Sequence, residues 1–97
     1  MARRYDPEQM VYREGFKLFL KNRNLNYNQI MNRVKCVFYL WNKRGKDVFW
    51  STVYSDEETL RQVMIETLSN FNPRCIHNIS KHMSAFRFFN EYLENSF

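Results

Sequence analysis

Four helix-start signatures divide this 97-residue chain: DPEQ at 6–9, NYNQ at 26–29, SDEE at 55–58 and NP at 72–73. Each opens on a side chain that can accept from a free backbone N–H. In the first, Asp6 is the expected cap, Pro7 suits the first helical position and Gln9 sits at the capping-box position. In the second, Asn26 pairs with Gln29 in the same way. In the third, Ser55 pairs with Glu58, and three acids fill the first turn, where they favour the positive end of the helix dipole. In the fourth, Asn72 caps, Pro73 follows, and Phe71 is placed to staple onto Ile76. Only two Gly and two Pro occur in the whole chain, which argues for long helices and against a turn-rich β-sandwich.

Apolar periodicity fills in the segments between these starts. Tyr12, Phe16, Phe19 and Leu20 mark one face of a helix ending near Arg23, while Arg13, Lys17 and Lys21 mark another. Ile30, Val34, Val37, Phe38 and Trp41 mark a second helix over Tyr27–Arg44, stopped by Gly45 in the left-handed conformation. Leu60, Val63, Met64 and Leu68 mark a third, reaching about Ser69. A fourth runs from Pro73 to about Glu94. KDVFWSTVYS fits none of these. Its β-branched and aromatic residues suit a strand, but no partner strand exists, so it reads as an extended linker pinned by Phe49, Trp50 and Val53. The expected fold class is all-α, a single orthogonal bundle of four helices over residues 1–97.

The charge is uneven. Residues 1–48 carry 11 Lys/Arg against 4 Asp/Glu, whereas residues 49–71 carry 1 against 4. A basic half suits a polyanionic partner. Arg74, His77 and Lys81, spaced by three and four, share one face of the last helix, and the first two lie near its N-terminus. The Lys43-Arg44-Gly45-Lys46 run also suits the negative end of the second helix.

Enzyme motifs are absent. There is no Gly-rich phosphate loop, no HExxH, no GxSxG and no Cys/His ligand set. His77 and His82 stand five apart, on different sides of a helix, so no metal is expected, and His82 reads as a surface or boundary residue. Tyr92 has no activating set in the sequence around it and reads as core or boundary. No cofactor is expected. Cys36 and Cys75 read as reduced structural thiols of a cytoplasmic protein, consistent with an N-terminus that lacks a signal peptide. No apolar run approaches the roughly 18 residues of a membrane span.

A family resemblance rests on FKLFL at 16–20, LNYNQI at 25–30, Val34, Val37, Phe38 and Trp41, then PRCIHNI at 73–79 and MSAFRFF at 83–89. Together these resemble the N-terminal SAM-like, or core-binding, domain of phage integrases and other tyrosine recombinases. The resemblance spans about residues 10–95, mostly at core and capping positions. It implies a DNA-binding module that forms half of a clamp around duplex DNA. The implied DNA-facing residues are Arg74, His77, Asn78, Lys81 and Arg87 on the last helix, and Asn28, Asn32, Arg33 and Lys35 on the second, with Lys43, Arg44 and Lys46 where that helix ends. The family's catalytic domain, with its tyrosine nucleophile, has no counterpart in this chain, so a non-enzyme is expected. The alternative is a small phage or mobile-element protein-interaction domain of the same fold. Its partner, a recombinase catalytic domain or another protein, would meet the aromatic C-terminus of Phe88, Phe89, Tyr92 and Phe97.

Overall fold

The computed structural model describes residues 6–96. It contains α1 (Pro7–Asn22), α2 (Tyr27–Arg44), α3 (Lys46–Val53), α4 (Glu57–Phe71), a 3₁₀ helix (Pro73–Asn78) and α5 (Ile79–Ser96). The fold is all-α, with no strand among the described residues. Among the described residues five α-helices are present where four are expected. α2 is the central element: α1, α3, α4 and α5 all pack against it.

The boundaries of α2 follow from local chemistry. The Gln29 N–H donates to Asn26 Oδ1 at 2.9 Å and the Asn26 N–H donates to Gln29 Oε1 at 3.1 Å, closing the expected capping box. Gly45 ends the helix at φ 91°, in the region that only glycine enters readily.

The segment after Gly45 is a helix, not an extended linker. Its intrinsic preference for a strand is overridden by packing. Phe49 and Val53, one turn apart, both bury, and Phe49 is completely enclosed. The Phe49 ring stacks on Phe38 at 5.6 Å and meets Phe89 edge-on at 5.7 Å. Ser51 and Thr52 turn their hydroxyls back onto the Val48 carbonyl within the helix.

Three further expectations change in detail. Asp56, not Ser55, caps α4: the Thr59 N–H donates to its carboxylate at 2.7 Å, which holds the Asp56 carboxyl below its usual range. The Ser55 hydroxyl is occupied with the Thr52 carbonyl of the preceding helix at 2.6 Å. Gln9 makes no capping box; it is buried and donates to Asn42 Oδ1 at 3.1 Å, while Asp6 accepts from Glu8. Arg13 leaves the basic stripe of α1 and is buried with its guanidinium 5.4 Å over the Phe38 ring.

The last helix is not continuous. It begins as six residues of 3₁₀ helix, and Asn72 makes no side-chain cap. Phe71 is half exposed and lies under the Lys43 ammonium at 5.6 Å. A 3₁₀ helix turns about 120° per residue against about 100° in an α-helix, so residues three apart eclipse. Cys75 and Asn78 therefore form one row, and Arg74 and His77 the next.

An aromatic cluster fills the interior. Phe16, Phe38, Phe49, Phe86 and Phe89 are fully enclosed, and Phe16 meets Phe89 edge-on at 5.2 Å. Gly15 lets α5 approach α1. A Cβ there would collide with the Tyr92 hydroxyl. No helix among the described residues is long and apolar enough to cross a membrane.

Candidate functional site

A cleft of about 590 Å³ opens between α2 and the 3₁₀–α5 segment. Asn32, Arg33, Lys35 and Cys36 of α2 form one wall, with Gln29 at its end. The other wall is built by Cys75, Asn78, Ser80, Lys81, His82 and Ser84. The α2 wall arises because Asn32, Lys35 and Cys36 stand at i, i+3 and i+4, and so share a strip next to the apolar stripe. The opposite wall starts from the Cys75–Asn78 row of the 3₁₀ helix and continues into the first turns of α5.

Three cations line the cleft and no carboxylate does. Lys35 and Lys81 are exposed and have no ion-pair partner among the described residues. Arg33 is half-buried. Its guanidinium lies 5.0 Å over the Phe88 ring, and Nη1 reaches the Gln29 carbonyl at only 3.5 Å. Its buried Nε has no hydrogen-bond partner among the described residues. Side-chain amides of Asn32 and Asn78 make no hydrogen bond within the described residues, so both present donors and acceptors to a ligand.

His82 is buried, not a surface residue. Its Nδ1 lies 3.3 Å from the Cys36 carbonyl and its ring meets Tyr39 edge-on. Burial pushes its pKa below the ordinary 6.5, with the Cys36 contact opposing in part. Burial also pushes the Cys36 thiol up, against the pull of Lys81 and Arg33. Both cysteines are free thiols on one cleft, a juxtaposition hidden in a sequence where they stand far apart. No group of three metal-ligating side chains occurs among the described residues.

Of the sequence candidates, Asn32, Arg33, Lys35, Asn78 and Lys81 meet at this cleft. Arg74 and His77 are exposed in the neighbouring 3₁₀ row and do not line it, so they do not share a face with Lys81 as a continuous α-helix would require. Asn28 is exposed near the start of α2, outside the lining. The others are engaged elsewhere. Arg87 donates to Glu57 through Nε at 3.0 Å and through Nη2. Arg44 reaches the Thr67 hydroxyl at 3.3 Å and lies 4.0 Å from Glu66. Lys46 pairs with Glu8 at 2.8 Å. Lys43 sits over the rings of Tyr39 and Phe71. Gln29, Cys36, Cys75, Ser80, His82 and Ser84 also line the cleft and were not among the candidates. For Cys36 and His82 the signal was present: each stands at i+4 in a triple that opens on an asparagine, Asn32 or Asn78.

No protein family, curated protein or solved structure matches this chain.

Proposed function

We propose that this chain is a DNA-binding module of the integrase core-binding, SAM-like type, gripping the phosphate backbone of duplex DNA through the α2–α5 face. The observation that carries this reading is the convergence of Arg33, Lys35 and Lys81 on one cleft without a carboxylate. Cations not already paired with acids are able to neutralise phosphates and so release the counterions condensed on DNA, and that release drives backbone binding. α2 and α5 are also the two helices on which the family resemblance places DNA contacts. Asn32 and Asn78 supply polar contacts, while Arg74 and His77, turned away in the adjoining 3₁₀ row, lie outside the grip.

The protein-interaction alternative draws less support. Of its C-terminal aromatics, Phe89 and Tyr92 are in the core and Phe88 is half-buried beneath Arg33. Phe97 lies outside the described residues.

Fluorescence anisotropy with a labelled duplex at low and moderate salt tests the proposal. A Lys35→Ala/Lys81→Ala variant should lose most of the affinity, and Arg44→Ala/Lys46→Ala should retain it. Absence of binding at low salt, or equal losses in the two variants, would overturn it.

A further inference from the structure

The cleft is a recess, whereas a phosphate backbone needs only a surface. We propose that it receives a single unpaired nucleotide, so that the module prefers DNA carrying an extruded base over a fully paired duplex. This inference deepens the DNA-binding reading and rests on it.

Three observations on different residues point the same way. The volume, about 590 Å³, falls in the range of roughly 300–1,000 Å³ typical of pockets for small molecules, and is far too small for a duplex. Arg33 supplies a stacking plane. One side of its guanidinium rests on Phe88 at 5.0 Å and the residue lines the cleft; in the proposed complex the base stacks on the other side. Finally, the amides of Asn32 and Asn78 stand on opposite walls, with donor and acceptor groups suited to the Watson–Crick edge of a base.

A paired base keeps that edge occupied and stays in the stack, so it cannot enter. An extruded base leaves its flanking phosphates outside, where Lys35 and Lys81 are exposed. The two lysines then hold the backbone on either side of the nucleotide while Arg33 holds the base. No covalent step is involved.

The test compares a duplex with the same duplex carrying one bulged nucleotide, by anisotropy, for the wild type, Arg33→Lys and Asn78→Ala. Arg33→Lys keeps the charge and loses the planar face. The expected result is about tenfold tighter binding of the bulged duplex by the wild type, the scale of one stacked base. Arg33→Lys and Asn78→Ala should narrow that gap by weakening the bulged duplex more than the paired one. Equal wild-type affinity for the two duplexes overturns the inference and leaves the DNA-binding reading standing. Failure of both duplexes to bind at low salt overturns both. The wild-type comparison decides the question even if a variant fails to fold.

Discussion

The aromatic interior and the α2–α5 cleft share two helices and obey opposite rules. In the interior, every large ring finds another. Phe38 alone meets Trp41, Phe49 and Phe89. At the cleft, groups that ordinarily find partners lack them among the described residues: Lys35 and Lys81 have no acid, and Arg33 Nε has no acceptor. Several cations elsewhere are matched, as in Lys46–Glu8, Arg23–Glu91 and Arg87–Glu57, although Lys21, Arg61 and Arg74 have no acid partner among the described residues. Exposed pairs of this kind add little stability, but they cancel local field. The cleft's field is left uncancelled. One region is thus closed on itself, and the other leaves Lys35 and Lys81 open to the anionic ligand proposed above.

This contrast breaks most sharply at Phe49. Phe49→Ala should cost about 3–5 kcal/mol by emptying the centre of the ring cluster. Chemical denaturation would measure it, and DNA affinity of the remaining folded protein should not change. A loss below about 1 kcal/mol would mean that α3 is not part of the core. The converse holds for Lys35→Ala/Lys81→Ala. Affinity for duplex DNA near 0.1 M salt should fall roughly 10–100-fold, from two lost phosphate contacts, with the melting temperature unchanged.

Gly15→Ala tests the α1–α5 approach. The new methyl group meets Tyr92, so overpacking of about 1–3 kcal/mol is expected by the same denaturation assay. His82 stands between the two regions and gives a pH signature. Its folded pKa is depressed below 6.5, so the unfolded chain binds the proton more readily. The histidine's contribution is complete above pH 6.5 and is lost as pH falls below it, through the lower folded value. Thermal melts between pH 7.5 and 5 should show that decline, and His82→Asn should flatten it. The smallest effect is expected at Arg44→Ala/Lys46→Ala, whose DNA affinity should stay within about twofold of wild type.

Local signals made much of the fold legible. α2 begins and ends where Asn26, Gln29 and Gly45 dictate, because caps act through neighbours in sequence. α3 was hidden because VFWSTV is helical only when Phe49 and Val53 have a core to enter. The 3₁₀ start of the last helix was hidden too, since Asn72-Pro73 is equally compatible with an α-helical first turn. Its effect on the site is direct: it separates Arg74 and His77 from Lys81 and turns Cys75 and Asn78 inward. Asn32, Arg33 and Lys35 came as candidates from the family resemblance, and spacing added only that they lie off the apolar stripe of α2. The quenching of Lys46 by Glu8 and of Arg87 by Glu57 was not, because those partners are distant in sequence. Nor was the burial of His82 against the Cys36 carbonyl, a contact 46 residues apart.

The most direct test of the central claim is the salt dependence of duplex binding, measured side by side for the wild type and Lys35→Ala/Lys81→Ala. The claim predicts a log–log slope of about −4 to −5 for the wild type, corresponding to roughly four to six phosphate contacts, and a slope shallower by about 2 for the variant. A flat wild-type response, or equal slopes for the two proteins, would contradict it.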